Sequence, residues 1–434
     1  METKYLGPIE LIEKKRKYLI PCVYHFYKNP PQLVRGAMEY LYDHQGRSYL
    51  DFYAGVSVVN AGHCHPEITS RICEQITTLQ HTTTIYLTQP MMDLAERLAS
   101  ITPGTLAKTF FCNSGSEANE GALLLAKLYN GGRGFIALEN SLHGRTYMSM
   151  SITGIPMWRT DSTLSDQVLF VPRPYCYRCF LKLSYPGCDL RCAYEIEKVI
   201  TQVRSCKIAA FIAEPIQGNG GIIVPPQDYF KVIEGILEKY GLLFICDEVQ
   251  TGFGRTGTTF AIEQWGVVPH ILTMAKALAN GVPVGAFTTT PEIAASYSKP
   301  GASTLGGNPV TAVAALATLD VHQKYNLKEN ASQLGDYFRE HLFALKDKYQ
   351  IIGDVRGKGL MLGAELVKED KLPASEETDY VLEHLKDRGI LIGKTGVGRN
   401  VLTFQPPLII SKSAIDEVVA ALDDILDQCT RDYL

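Results

Sequence analysis

The chain contains 434 residues, of which 46% are hydrophobic and 20% charged, and its formal net charge is −4. This length suits two domains with substantial cores, and the charge excludes the basic surface that binds nucleic acid or anionic membranes. No apolar run approaches the roughly 20 residues that span a bilayer, and the charged residues 1–19 do not resemble a secretion signal. We therefore expect a cytoplasmic protein.

Taken from the amino to the carboxyl end, the sequence predicts three segments. Residues 1–60 form an amino-terminal arm with a charged helix over Ile9–Leu19 and a hairpin that turns within Leu41–Arg47. Turn residues interrupt two apolar-aromatic runs at that hairpin. Residues 61–311 form a large domain, and residues 312–434 form a smaller carboxy-terminal domain.

Short apolar runs alternate with helical patterns in the large domain, which is typical of βαβ units around a parallel sheet. Its strands are predicted at Lys108–Cys112, Gly134–Leu138, Val168–Val171, Ala209–Ala213, Leu242–Cys246, Ile271–Met274 and Gly285–Thr289. The carboxy-terminal domain is predicted to contain helices over Thr311–Tyr325, Ser332–Lys348 and Ser413–Asp427 and the strand pair Gly359–Leu366 and Val401–Phe404.

The eleven cysteines are an odd number, and most lie inside apolar segments. That placement suits buried thiols in a reducing compartment. Four cysteines form a separate cluster: Cys176, Cys179, Cys188 and Cys192. The first pair has the spacing of a zinc knuckle, but the gap is short and the second pair is wider than usual. We favour free thiols over a metal site here, and a structural metal or a disulfide remains an alternative.

Charged side chains follow two consecutive predicted strands of the large domain. Asp247 and Glu248 come directly after the apolar run Leu242–Cys246, at the strand end where open α/β sheets bind ligands. Asp247 could equally cap the next turn. Lys276 lies in the mostly apolar run Thr273–Leu278, where burial would make its amine nucleophilic, although a lysine whose head reaches solvent is the commoner case.

An acid and a desolvated lysine in these places are what pyridoxal phosphate requires. The lysine forms a Schiff base with the cofactor's aldehyde, and the carboxylate keeps the pyridine nitrogen protonated, so that the ring accepts electrons.

A phosphate site is predicted between a strand and a helix. The run Asn113–Ala118 consists mostly of small residues ahead of a helix that begins near Glu117. Small residues let the backbone approach an anion, and free amides at a helix start bind phosphate. The alternative is a simple helix cap in which Ser116 is the capping residue.

Motifs along nearly the whole chain resemble the class III, fold-type I aminotransferases, the group that contains ornithine, acetylornithine and 4-aminobutyrate aminotransferases. They are, in chain order, LDFYAGVSVVNAGHCHPEI, CNSGSEANEGALLLAKLYN, FIAEPIQGNGG, DEVQTGFGRTG, MAKALANGVPVGA, STLGGNPV and DVRGKGLMLGAEL. The resemblance implies an α/β fold: a large domain with a mostly parallel central sheet, and a smaller α+β domain built from both chain ends.

The resemblance also implies roles for individual residues around pyridoxal 5′-phosphate. Lys276 would hold the cofactor and Asp247 would contact its ring nitrogen. The phosphate would be bound by Ser114, Gly115 and Ser116, and by Thr304 of a second subunit, which makes the protein a homodimer. Val249 would pack on the ring and Gln250 would bond its phenolic oxygen. Glu214 and Glu248 are interpreted as structural hydrogen-bonding residues close to the cofactor.

Several positions depart from the family pattern. Leu142 replaces an aromatic residue that stacks on the cofactor, and the neighbouring His143 is either a compensating contact or a structural hydrogen-bonding residue. Asn219 and Thr403 replace a glutamate–arginine pair that opens to bind a substrate α-carboxylate. Because an unpaired buried charge is costly, the joint loss of both is physically coherent.

Other residues of the expected substrate pocket are partly apolar. Phe26 and Val56 stand where ornithine aminotransferase has tyrosines. Arg145 remains a candidate contact for a carboxylate or phosphonate, and Arg399 is a second candidate for which a solvated position is favoured.

The resemblance predicts an aminotransferase that moves an amino group from a small amine or amino acid to a keto acid such as pyruvate or glyoxylate. The alternative is a lyase that eliminates ammonia or phosphate, or an amino-acid epimerase, of the same class III group. Neither alternative needs to bind two different carboxylates in turn, so both also fit the residues at positions 219 and 403.

Overall fold

The computed structural model describes residues 5–202 and 206–433. The strands are β1 Leu33–Ala37, β2 Tyr40–Asp43, β3 Ser48–Asp51, β4 Lys108–Cys112, β5 Gly134–Leu138, β6 Val168–Val171, β7 Ile208–Ala213, β8 Leu243–Asp247, β9 Ile271–Met274, β10 Gly285–Thr289, β11 Ile352–Lys358, β12 Met361–Leu366, β13 Ile390–Leu391, β14 Gly393–Thr395 and β15 Val401–Phe404.

Helices surround these strands. They are α1 Pro8–Tyr18, α2 Ala54–Ser57, α3 Pro66–Thr78, α4 Gln89–Ile101, α5 Gly115–Asn130, α6 Tyr147–Ser151, α7 Arg191–Gln202, α8 Tyr229–Tyr240, α9 Pro291–Ala294, α10 Pro309–Lys324, α11 Leu327–Lys348, α12 Ser375–Asp387 and α13 Lys412–Tyr433. In the part of the chain that is described, each helix is too short or too polar to cross a bilayer.

The central sheet has seven strands in the order β4-β10-β9-β8-β7-β5-β6. Every residue of β5, β7, β8, β9 and β10 is buried, as expected when helices cover both faces of a sheet. All seven strands predicted for the large domain are present in this sheet. The sheet determines where a ligand site can form, because the carboxyl ends of its parallel strands meet at one edge.

The sheet is not wholly parallel. β10 pairs antiparallel with both β9 and β4, whereas β9, β8, β7, β5 and β6 pair in parallel. The connection from β9 to β10, residues 275–284, is shorter than the dozen or more residues that a parallel crossover needs. The short connection therefore reverses β10.

Both chain ends contribute to the smaller sheets. β1, β2 and β3 form the predicted amino-terminal hairpin and its neighbour, and β13 from the carboxy-terminal part adds in parallel to β3. A second sheet has the order β11-β12-β15-β14. β11 was not predicted from the sequence, because Ile352–Lys358 contains two glycines and three charged residues and becomes a strand through pairing with β12.

Helix α10 joins the two main hydrophobic cores. Its residues Ala312 and Leu319 pack in the core of the central sheet, and Ala317 and Val321 pack in the core of the carboxy-terminal part. Leu50 and Phe52 from the amino-terminal arm belong to that second core. The division of the chain after residues 60 and 311 remains a prediction.

Candidate active site

A cavity of about 350 Å³ lies where β8, β9 and the start of α5 meet. Eight of the residues predicted from the sequence line it: Ser114, Gly115, Ser116, Leu142, His143, Asp247, Val249 and Lys276. Val58, Val282, Pro283 and Val284 add an apolar surface that the sequence did not single out. The cavity thus combines a carboxylate, an amine and a helix amino terminus with apolar walls.

Asp247, the last residue of β8, is buried and held by three donors. Its Oδ2 accepts a hydrogen bond from Asn119 Nδ2 at 2.8 Å and lies 2.7 Å from His143 Nδ1. Its Oδ1 accepts from the backbone amide of Val249 at 3.1 Å. These bonds fix the carboxylate at the strand end where sequence reasoning placed it. His143 is therefore a hydrogen-bonding partner of Asp247.

Asn119 was missed by the sequence analysis. It lies in α5, is 1% exposed, and also donates to the carbonyl of His143 at 2.7 Å and accepts from Thr273 Oγ1 at 2.7 Å. The available signal was an amide inside an otherwise alanine- and leucine-rich helix, where a buried polar side chain needs partners.

Lys276 lies two residues past the end of β9 and begins a 3₁₀ turn, Lys276–Ala279. Its φ of 41° lies in the left-handed region, which is costly for a non-glycine residue and recurs at functional sites. Burial lowers the pKa of its amine, and the nearby carboxylates of Asp247 and Glu214 oppose that shift. The local fold thus keeps the lysine beside Asp247 with an amine that is more readily neutral.

Glu214 connects two loops behind the cavity. Its carboxylate accepts from the amide of Leu142 at 2.9 Å and from the amide of Gly218 at 3.0 Å. Burial raises its pKa to about 7, while His143 opposes that shift. Its contacts agree with the structural role expected for it.

Glu248 points away from the cavity. It accepts from the amide of Ile262 at 2.8 Å and from the hydroxyl of Thr251. Burial raises its pKa to about 7. Glu248 thereby fixes the 3₁₀ turn Ala261–Trp265 to the end of β8 and has the structural role interpreted from the sequence.

Helix α5 presents its first turn to the cavity. The cap is Ser114, whose Oγ accepts from the amide of Glu117 at 3.2 Å, so the alternative interpretation of Ser116 as the cap is wrong. The helix begins two residues earlier than expected, because an extended residue precedes Gly115. The amides of Gly115 and Ser116 precede the first intrahelical bond, Ala118 to Ser114, and are available to an anion.

The backbone is closely packed around that turn. A Cβ built on Gly115 would lie 2.8 Å from Cγ1 of Val249, and one on Gly144 would lie 2.5 Å from Oγ of Ser116. Ser116 Oγ accepts from the amide of Arg145 at 3.0 Å. The two glycines thus let α5, the loop after β5 and Val249 converge on one cavity.

Gln250 is not one of the residues that line the cavity, whereas its neighbour Val249 is. Its Nε2 donates to Oε1 of Gln405 at 3.2 Å, and Ser57 Oγ donates to the same oxygen at 2.9 Å. Neither Ser57 nor Gln405 was identified from the sequence. The three side chains are 8% exposed or less.

Other predicted residues lie outside the cavity. Thr304 and Arg145 are exposed in the single chain. Phe26 is half-buried and packs on Tyr53, and the guanidinium of Arg399 lies 5.1 Å from its ring centroid. Val56 belongs to α2, whose four residues all have positive φ, 69° at Val56 itself.

The positions of the absent glutamate–arginine pair are neutral. Thr403, in β15, is 2% exposed and donates to the carbonyl of Val401 at 3.3 Å. The backbone carbonyl of Asn219 accepts from Thr395 Oγ1 at 2.8 Å. The loop after β7 is therefore fastened to β14 by uncharged hydrogen bonds.

The four clustered cysteines, Cys176, Cys179, Cys188 and Cys192, are free thiols. Burial raises the pKa of Cys192 to about 12. Within residues 5–202 and 206–433, no group of three or more histidine, cysteine or acidic side chains is arranged to hold a metal ion.

The cavity fits the cofactor expected from the sequence. A buried carboxylate, held by His143 and Asn119, suits a protonated ring nitrogen. Leu142 and Val249 offer apolar surface for a ring, the start of α5 suits a phosphate, and Lys276 supplies an amine.

Comparison with known proteins agrees with this geometry. The family model for class III aminotransferases matches residues 27–426. The mitochondrial alanine–glyoxylate aminotransferase 2 homolog 2 of Arabidopsis thaliana is 43% identical, over 96% of this chain and 88% of its own. The leucine/methionine racemase of Thermococcus litoralis is 39% identical, over 95% of this chain and 94% of its own.

A solved structure supports the same assignment. An (S)-enantioselective omega-transaminase from Thermomicrobium roseum superposes with a TM-score of 0.90 at 33% identity, covering 98% of this chain and 100% of that chain. The cavity, the motifs and these likenesses lead to one conclusion: the chain belongs to the class III, fold-type I aminotransferases and is an enzyme that depends on pyridoxal 5′-phosphate.

Proposed function

We propose that the cavity holds pyridoxal phosphate through the residues identified from the sequence. Lys276 Nζ bonds the cofactor covalently, Asp247 pairs with its ring nitrogen, and the amides at the start of α5 bind its phosphate. When bound, the cofactor supplies an electron sink for a substrate carbon that loses a proton. The three bonds that fix Asp247 support this assignment, because they hold a carboxylate where a protonated ring nitrogen needs one.

Lys276 also moves the proton in this proposal. With the cofactor bound, the neutral Nζ of Lys276 would accept the proton from the substrate carbon, and the resulting ammonium would deliver that proton to the cofactor carbon. Burial lowers the pKa of Lys276, which favours the neutral amine that this step requires. The proximity of Asp247 and Glu214 prevents a larger shift, so the same amine can still carry a proton.

We propose that the amino acceptor is a small monocarboxylic keto acid such as pyruvate or glyoxylate, and that the donor is a small amine or amino acid. This proposal rests on two neutral residues, Asn219 and Thr403. They stand where ornithine aminotransferase has the glutamate–arginine pair that opens to bind a substrate α-carboxylate. A second substrate carboxylate would be left there without a cation, which is costly in a buried site. The name of the Arabidopsis relative, which mentions glyoxylate, supports the same class of acceptor.

A racemase or lyase is the second candidate. The same neutral residues suit a reaction on a single substrate, and a relative that is 39% identical is named a leucine/methionine racemase. Both reactions would use Lys276 and Asp247 as described.

The choice of acceptor is tested by steady-state kinetics with alanine and a set of keto acids. We expect kcat/KM for glyoxylate or pyruvate to exceed that for 2-oxoglutarate by about 100-fold or more, because a buried charge without a partner is strongly rejected. Comparable values for 2-oxoglutarate would refute the proposed acceptor class.

We further propose a cytoplasmic homodimer in which Thr304 of each subunit contacts the phosphate in the other. Thr304 is exposed in the single chain, as a residue that reaches a second subunit must be. All eleven cysteines are free, which agrees with a reducing compartment.

A further inference from the structure

Gln405 does not line the cavity, but it bonds two segments beside it. It follows β15 directly and is 1% exposed. Its Oε1 accepts from Gln250 Nε2 at 3.2 Å and from Ser57 Oγ at 2.9 Å, and its backbone amide donates to Phe52 at 2.7 Å. One amide oxygen therefore receives donors from both the strand-end loop and the amino-terminal arm.

The amide of Gln250 is confined on its other side. A Cβ built on Gly218 would lie 1.9 Å from Gln250 Oε1 and 3.0 Å from its Nε2, so the amide plane rests on the glycine backbone. Gly218 is itself held by Glu214, which accepts from its amide at 3.0 Å. The oxygen of Gln250 thus lies nearest to Gly218, and its nitrogen faces Gln405.

This orientation matters because a phenolic oxygen that carries negative charge needs a donor. Gln250 has donors only on Nε2. With one N–H bonded to Gln405, the second N–H is left for another acceptor. If Gln405 presented its own NH₂ group instead, Gln250 would have to turn its oxygen towards it, and the two amides would exchange roles.

The two polar ends of the Gln405 amide differ: Oε1 accepts two hydrogen bonds, and Nε2 makes none within the described part of the chain. Its Nε2 is buried and has no hydrogen-bond partner among the described residues, and an unpaired buried donor is unfavourable. A methionine of similar length would avoid that cost. An amide at this position therefore points to a role for its oxygen.

We propose that Gln405 is a positioning residue: its Oε1 fixes the amide of Gln250 so that Gln250 Nε2 donates to the phenolic oxygen of the bound cofactor. This inference rests on the proposed role of Gln250. Gln405 acts through Gln250 and touches neither cofactor nor substrate in this role.

The test is the pH midpoint of the absorbance change of the bound cofactor. A donor to the phenolic oxygen stabilises its anionic form, so loss of the donor raises the midpoint. We expect Gln250→Leu to raise it by about one pH unit, the equivalent of one hydrogen bond, and Gln405→Met to raise it by about half a unit or more. Asp247, His143, Glu214 and Lys276, the titratable groups around the cavity, are present in every variant.

Two further proteins separate positioning from general damage. The double variant Gln250→Leu/Gln405→Met should have the same midpoint as Gln250→Leu alone. Once the amide of Gln250 is absent, the side chain at position 405 has nothing to orient. Gln264→Met is the matched control: this half-buried amide bonds Thr256 outside the cavity, and its loss should leave the midpoint unchanged.

Three results would overturn the inference. If Gln250→Leu leaves the midpoint unchanged, the proposed role of Gln250 fails and the role of Gln405 fails with it. If Gln250→Leu raises the midpoint but Gln405→Met does not, only the positioning role fails. If the two shifts add in the double variant, Gln405 acts independently of Gln250.

Discussion

At the scale of single residues, position along the chain predicted the charged groups of the site. Asp247 and Lys276 could be identified because each lies at or just past the end of a strand of one sheet, and such residues meet at the same edge. Both line the cavity. The local sequence offered both residues as candidates, and the surrounding family motifs decided between the alternatives.

The partners of those residues could not be predicted in the same way. Asn119 bonds Asp247 across 128 residues, and Gln405 bonds Gln250 across 155 residues. Such contacts depend on how distant elements pack, which periodicity and spacing do not encode. The cap of α5 also differed by two residues, because Ser114 and Ser116 are equally suitable capping residues by type.

The role of Lys276 gives a prediction at this scale. In Lys276→Ala the cofactor should lose its covalent bond to the protein, because no other lysine lines the cavity among the described residues. Borohydride reduction followed by peptide mass spectrometry should find the cofactor mass on the wild-type peptide that contains Lys276, and nowhere in the variant.

The control is Lys207→Ala, which removes an exposed lysine that bonds the carbonyl of Asn130. It should retain the labelled peptide. A cofactor mass that persists in Lys276→Ala would show that another amine holds the cofactor.

At the scale of elements, apolar runs predicted the strands of the central sheet, but their direction depended on the connections. β10 is antiparallel because residues 275–284 are too few for a crossover. β11 was missed because its pairing with β12 outweighs a sequence rich in glycine and charge. Long-range pairing decides such elements.

Glu248 links two elements and predicts a pH dependence of stability. Its pKa rises from 4.5 to about 7 in the folded protein. Between these values the unfolded chain releases the proton while the folded protein keeps it. The favourable contribution of the protonated form is therefore complete below pH 4.5 and is lost as the pH rises through about 7.

Glu248→Gln should remove this dependence, because the amide can still bond Ile262 and Thr251. Relative to the variant, the wild-type protein should lose about 2.5 kcal/mol of unfolding free energy as the pH rises from 5 to 8. Urea unfolding at both pH values measures the difference. Glu214 is present in both proteins, so its titration cancels. If the unfolding free energies of the wild-type protein and the variant differ by the same amount at both pH values, the pKa of Glu248 is not raised.

At the scale of the whole molecule, the fold class was predicted correctly, down to a smaller domain built from both chain ends. The structure adds that Arg255 joins these parts. Its buried guanidinium donates to the carbonyls of Leu360 and Pro406 at 2.8 and 2.6 Å and to the side chain of Asn60. Sequence reasoning could not find this role, because two of the acceptors are backbone carbonyls and all three lie more than 100 residues from Arg255.

We expect Arg255→Met to lower the free energy of unfolding by about 3 kcal/mol, because three buried acceptors lose their partner. Part of that loss is offset, since burying the charge is unfavourable, as the lowering of the Arg255 pKa to about 9 indicates. Urea unfolding at one fixed protein concentration measures it. The control Arg388→Met removes an exposed pair with Asp424 and should cost less than about 1 kcal/mol. Equal effects would contradict the joining role of Arg255.

An aminotransferase moves the amino group in two separate half-reactions, and the cofactor carries the group between them. The most direct measurement mixes the cofactor-loaded protein with alanine or another amine, without a keto acid, and follows the cofactor spectrum together with released ammonia and phosphate. We predict one stoichiometric conversion of the bound cofactor to its amine form, which stops until pyruvate or glyoxylate is added. Repeated turnover with the starting spectrum restored, and with ammonia, phosphate or racemised amino acid accumulating, would contradict the account and establish a lyase or racemase.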